Sequence, residues 1–280
     1  MLNLLHAQFY RLVRSVTFWG FLGVTLFVSG LGVWSFGMSY DSAVAYDTGV
    51  GFLLPGTTLW LRPEDYAGQM AAMFVPLLSS LFVARFFVDD FSAGGSRILD
   101  AGPRFRRDYV LSSLVLIAVV AACLSVASLA APLLVTPFFP LLDVQWGNFG
   151  CTVRWVLQMV LAVLIYGALT LAVTAATGRL GLSVLVAFLL GIGLVDSWMV
   201  DAVEAVRGVL FGVGVGDGFS WGQLTLYQDP QGFAWWLPSG QVWGVLAHGY
   251  TPTVLGIVPL AALAAIAGLL CWLAIRRKRI

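Results

Sequence analysis

The run VLGIVPLAALAAIAGLLCWLAI, residues 254–275, contains no charged side chain and is followed at once by Arg276, Arg277, Lys278 and Arg279. A helix needs about 20 mostly apolar residues to cross the hydrocarbon layer of a bilayer. This run therefore predicts a membrane-crossing helix that ends in a cationic cluster at one face. Working outward from it, the same count finds runs at 16–38, 70–87, 110–134, 155–174 and 181–200. The second carries Arg85 near its end, where a long aliphatic stem lets the guanidinium reach the headgroups. The fifth accommodates Asp196 only near its outer end, within reach of water. Composition agrees: of 280 residues 60% are hydrophobic and 10% charged, with a mean hydropathy of +0.91. Soluble domains carry roughly a quarter charged residues. The expectation is an all-α polytopic membrane protein, a single domain over 1–280 with six transmembrane helices.

Arginine placement then sets the orientation. With six spans, Arg11, Arg14, Arg85, Arg97, Arg104, Arg106, Arg107, Arg179 and the C-terminal cluster fall on one side, and only Arg62, Arg154 and Arg207 on the other. Positive charge is retained on the cytoplasmic face, so both termini are expected in the cytoplasm. Acidic residues from Asp41 to Asp229 lean the other way. Before the first span, Leu2, Leu5, Phe9, Leu12 and Val16 recur at spacings of three and four, while Asn3, His6, Arg11 and Arg14 occupy other faces. That pattern reads as an amphipathic helix on the inner membrane surface, leading into an uncleaved anchor.

The outer segment 201–252 contains Trp221, Trp235, Trp236 and Trp243 among apolar stretches too short to cross. Short interfacial or re-entrant helices before the last span are expected there, with the indoles in the headgroup zone. Gly208, Gly212, Gly214, Gly216 and Gly218 read as a turn, since their spacing does not match a nucleotide loop. Asp196, Trp235 and Trp236 are the candidates for a transport path or outer gate, because a carboxylate inside a membrane is costly unless used.

Several chemistries find no support. Cys123, Cys151 and Cys271 have no paired spacing and no histidine pair beside them, which indicates neither a disulfide framework nor a metal site. His6 and His248 fall on opposite sides of the membrane in this topology. The sole lysine, Lys278, cannot belong to a phosphate loop, so any ATP chemistry resides in another subunit. No catalytic constellation is present; the chain is expected not to be an enzyme, to hold no cofactor and to bind no nucleic acid.

What remains is the charged island between the second and third spans, residues 88–109, in a chain that otherwise avoids charge. This is the part expected to meet a soluble partner. The order of parts resembles the membrane subunits of ATP-binding-cassette transporters of the type-two, export-type permease class, over essentially the whole chain. In that family the loop after span two carries a glutamate, an aromatic and a glycine, then a basic residue, an apolar pair and a serine-arginine. Asp90, Phe91, Gly94, Arg97, Ile98 and Leu99 stand at the matching positions, with aspartate for glutamate and Arg104 or Arg106 in the arginine's place.

The resemblance implies that residues 88–109 form a coupling element docked on a cytoplasmic ATPase, two copies of which bind ATP and magnesium. Phe91, Ile98, Leu99 and Phe105 would be its apolar anchors, and the arginines would set orientation. It also implies a second copy of this permease or a similar one, a path lined by spans one, two and five, and a bacterial plasma membrane location. The exported compound would be a peptide, lipid-like or hydrophobic molecule. From the residues alone, an ion-coupled secondary transporter and a non-transporting membrane scaffold are the competing readings. The first calls for a mid-membrane carboxylate or repeated halves, and the linear sequence displays neither.

Overall fold

The computed structural model of the chain describes residues 2–45, 59–61, 63–91, 103–139, 142–144, 149–211, 237–238 and 254–277. Its elements are α1 (Leu2–Arg14), α2 (Val16–Ala45), β1 (Leu59–Leu61), α3 (Pro63–Phe91), α4 (Pro103–Val135), a 3-10 turn (Thr136–Phe138), β2 (Leu142–Val144), α5 (Phe149–Thr177), α6 (Leu180–Gly191), α7 (Leu194–Phe211) and α8 (Val254–Arg277). Among the described residues, four helical stretches are long and apolar enough to cross a membrane: Val16–Ser35, Phe105–Phe138, Thr152–Thr177 and Ile257–Arg276. A fifth is added if Leu180–Gly191 and Leu194–Val203 count as one span bent by 61°. The chain is a helical membrane protein.

Helix α3, whose last seven residues include Arg85, Asp89 and Asp90, is not among these stretches. It is nevertheless well enclosed, packed on α2, α4, α5 and α6. Val75, Phe82, Val83, Ala84 and Phe87 are all buried. Helices α3, α4 and α5 approach one another through small polar positions such as Ser79, Ser112, Ser125, Thr170 and Thr174. Small side chains let helix backbones come close within a bilayer. Two of these hydroxyls turn back onto their own helix, Ser112 Oγ to the Tyr109 carbonyl at 2.9 Å and Thr174 Oγ1 to the Thr170 carbonyl at 2.8 Å.

The expected fifth span is broken. Gly193 adopts φ 74°, a left-handed conformation that costs glycine nothing, and the chain turns at Ile192–Gly193. Gly191 is required for a different reason: a Cβ there would lie 2.5 Å from the Leu77 Cα of α3. Helix α6 is thereby seated against the middle of α3.

The fold is all-α as expected, with one short parallel pairing beside the helices, in which Leu59, Trp60 and Leu61 of β1 face Leu142, Asp143 and Val144 of β2. Three-residue segments are too short to display a period of two. In α1 the packed face centres on Gln8 and Leu12, with Leu4 and Phe9 against the core, whereas Leu2 and Val16 are 81% and 85% exposed. The apolar stripe is offset because Arg11, assigned by its charge to the polar face, lies on the packed side. Gly208, read as part of a turn, is helical within α7.

Candidate functional site

Three helix ends meet where the charged island departs. Arg11, in the last turn of α1, donates from Nη1 to Asp90 Oδ1 at 2.7 Å, and its guanidinium also donates to the Phe86 carbonyl. The same group lies 4.2 Å over the centroid of the Phe86 ring. From the other side, the Tyr109 hydroxyl of α4 donates to Asp90 Oδ2 at 2.7 Å. One carboxylate thus fastens α1 and α4 to the end of α3, each through a charge-assisted bond, the stronger class of hydrogen bond. Gln8 Nε2 donates to Ser113 Oγ at 3.3 Å, a second tie between α1 and α4.

Aromatic packing holds this clamp rigid. Tyr109 meets Phe87 and Phe91 edge to face, with centroids 6.3 Å and 5.7 Å apart, and Phe86 stacks on Phe82 at 5.1 Å. Edge-to-face contacts place a ring's positive rim against its neighbour's negative face, which fixes orientation beyond simple burial. The Asp90 side chain is 12% exposed and that of Arg11 40%. The carboxylate is thus well shielded, while the arginine still touches solvent.

A second polar contact lies within the bundle. Asp196, in the first turn of α7, is buried, and its Oδ2 accepts a hydrogen bond from the Tyr166 hydroxyl of α5 at 2.5 Å. The helix start stabilises a negative charge there through its exposed N–H groups. Counting residues along a straight helix placed Asp196 near the outer edge, within reach of water. In the structure it follows a 61° bend and is 5% exposed. Helix α6 has 12 residues before the break, about 18 Å of rise, and Gly191 sits against mid-α3. The carboxylate is therefore interior to the bundle. Tyr166→Phe is expected to lower thermal stability in detergent by about 1 kcal/mol, the net worth of one intramolecular hydrogen bond. Asp196→Asn should cost less, since an amide oxygen accepts the same bond.

Of the residues singled out from the sequence, Asp90 occupies a partly buried polar contact and Asp196 a buried one, at separate places. Phe91 differs from expectation: it is 6% exposed and packs on Tyr109, so its ring faces this chain's own core. Phe105 is half-buried. Arg104 lies in the first turn of α4, and Arg106 Nη1 donates to the Arg276 carbonyl at 3.3 Å. Gly94, Arg97, Ile98, Leu99, Trp235 and Trp236 lie outside the described residues. Among the described residues, no three His, Cys, Asp or Glu side chains gather as a metal site would require. Sequence reasoning missed Arg11, Tyr109 and Tyr166. Arg11 and Asp90 are 79 positions apart, and Tyr166 and Asp196 are 30 apart, so no local spacing reveals either pairing.

Compared with known protein families and with curated proteins, the chain matches none.

Proposed function

We propose that this chain is the membrane-spanning permease subunit of an ATP-driven exporter, coupled through residues 88–109 to a separate cytoplasmic ATPase. The observation that carries this reading is the Arg11–Asp90–Tyr109 clamp. Residues 92–102 join α3 to α4, and the clamp binds both of those helix ends to α1. A displacement of that segment would be delivered to three helices together instead of being lost in one.

In this reading α3 is the second of six spans, its uncharged stretch 66–84 long enough to cross the hydrocarbon layer. The transmembrane set is then α2, α3, α4, α5, the bent α6–α7 pair and α8, with α1 as a surface lever. The Arg106 contact to Arg276 supports one consequence of that topology, because it brings the start of α4 and the end of α8 to the same end of the bundle. Arg11, Arg106, Arg107 and Arg276 then share a face, as cytoplasmic retention of positive charge requires. A second permease copy, or a similar permease, completes the path. Helices α2, α3 and α6–α7 line it, with Asp196 at the bend and Trp235 and Trp236 toward the outer gate. The cargo is a peptide, a lipid-like molecule or another hydrophobic compound.

One observation favours a second reading. A buried carboxylate beside a helix break is the arrangement by which ion-coupled transporters build mid-membrane sites. Uptake or efflux driven by a proton or sodium gradient without ATP, and lost in Asp196→Asn, would establish it in place of the first.

Affinity purification from the protein's own host membranes tests the leading reading. The wild-type chain is expected to bring down an ATP-hydrolysing subunit, and Leu99→Asp to lose it while inserting normally. Phe91→Asp is unsuitable for this purpose, since a charge at that buried ring disturbs the clamp itself. Undiminished recovery of the ATPase with Leu99→Asp rejects docking through this segment.

A further inference from the structure

A groove of about 600 Å³ opens where α4, α5 and α8 meet. Its body is apolar, formed by Leu111 and Leu114 of α4, Leu164 of α5, and Gly268 and Trp272 of α8, with Arg107 at one end. The α8 wall is low because its residues are small. Ala264 and Ala265 line it, and at Gly268 an added Cβ would already touch the Leu114 side chain at 3.4 Å. A narrow slot is left between the helices, open on its outer side.

The charged end is built as well. Arg107 is exposed, and the Arg276 guanidinium lies 5.2 Å over the Trp272 ring, on the wall of the same groove. The Arg106 bond to the Arg276 carbonyl holds the end of α8 beside the start of α4, the turn that carries Arg107. Asp108, the acidic neighbour of Arg107 in the chain, is half-buried. The lining therefore divides into a cationic head and an apolar body. Neither a neutral hydrocarbon nor a small soluble anion uses both parts.

We propose that this groove binds an anionic phospholipid, its phosphate at Arg107 and Arg276 and one acyl chain along the seam between α4 and α8. Basic pockets between helices at the membrane boundary hold such headgroups by charge, and the apolar slot adds burial of the chain. A lipid seated there would brace the Arg106–Arg276 tie from the membrane side. The inference does not depend on how the chain is powered, and stands whether or not an ATPase is its partner.

Native mass spectrometry of delipidated full-length protein decides the matter, titrated with phosphatidylglycerol or phosphatidylcholine carrying the same acyl chains. The wild-type chain is expected to retain phosphatidylglycerol in preference. Arg107→Ala should reduce that preference about fivefold, and the double change with Arg276→Ala should reduce it further, each arginine contributing comparably. Arg107→Gln provides the same test should the alanine variant be unstable. Ala265→Phe, which fills the slot without changing charge, should weaken both lipids alike, and Arg154→Ala at the opposite end of the bundle should alter neither. Glycerol phosphate, the headgroup without its chain, should not compete. Equal retention of the two lipids by the wild-type chain, unchanged preference in the arginine variants, or full competition by glycerol phosphate would each overturn the assignment.

Discussion

On the proposed exporter reading, Asp90→Ala is expected to destabilise the protein by about 2–4 kcal/mol and to abolish export while leaving the ATPase bound. The two halves of that result have different origins. Energetically, the substitution leaves the Tyr109 hydroxyl without its carboxylate acceptor, and Tyr109 is only 2% exposed. An orphaned buried donor costs most of its lost solvation. Arg11 suffers less, because at 40% exposure its guanidinium can turn to water and the ion pair is already partly screened. Thermal unfolding in detergent measures the sum. Charge identity is separated from shape by Asp90→Asn, which keeps one acceptor oxygen but removes the ion pair, and should fall between wild type and alanine. A double-mutant cycle with Arg11→Ala should give a coupling of about 0.5–3 kcal/mol, the range for groups in direct contact.

The functional half follows from position. Residues 92–102 are untouched by the substitution, so docking should persist; what is lost is the fastening of α1 and α4 to the end of α3. Co-purification at wild-type level with transport at background is the expected combination. Loss of both together would mean that Asp90 contributes to docking, and full transport would mean that the clamp transmits nothing.

Gly191→Val should be the most destabilising single change in the helix core, with Gly191→Ala costing about 1–3 kcal/mol by overpacking. The neighbour is backbone: the Leu77 Cα would be 2.5 Å from the new Cβ, and Leu77 N 3.1 Å. No rotamer change relieves that contact, so α6 must lift off α3. At Gly181, near the start of the same helix, an added Cβ would meet nothing within 4 Å. There the same substitution removes only the entropic penalty of glycine in a helix and should stabilise by about 0.5–1 kcal/mol. Opposite signs for two glycine-to-alanine changes in one helix, read by thermal unfolding, would confirm the close approach of α6 and α3. Equal effects would refute it.

How far the sequence could be read depended on the length scale of each signal. Residues 254–275 became α8 at Val254–Arg277 almost unchanged, because an uninterrupted apolar run and its flanking arginines are both local. Other helices run beyond their uncharged stretches: α5 begins at Phe149 and α4 at Pro103, earlier than the expected 155 and 110. Backbone hydrogen bonding does not stop at the first charge. Arg154 illustrates how a charge is absorbed, its Nε donating to the Gly150 carbonyl one turn back at 3.0 Å. The break in the fifth span was written in Gly193, yet an apolar count is blind to conformation. Its consequence for Asp196, depth within the bundle, could not be seen without it.

The candidate site divides along the same line. Asp90 stood out as an acidic residue at the edge of the charged island, but its partners come from α1 and from the far side of the 92–102 connection. Phe91 shows the converse error. Its motif position suggested an outward anchor, whereas the aromatic cluster of Phe87, Phe91 and Tyr109 draws the ring inward. Charge and hydropathy announce that a residue is unusual; only packing decides which way it faces.

The most direct measurement places a single cysteine at Ser96 in an otherwise cysteine-free chain and applies a short bifunctional maleimide to permeabilised host membranes. The prediction is one dominant adduct with an ATP-binding protein, its yield altered by ATP, and no reaction from outside intact cells. Labelling of Ser96→Cys by an impermeant maleimide in intact cells, or adducts that never include an ATP-binding protein, would contradict coupling through this segment.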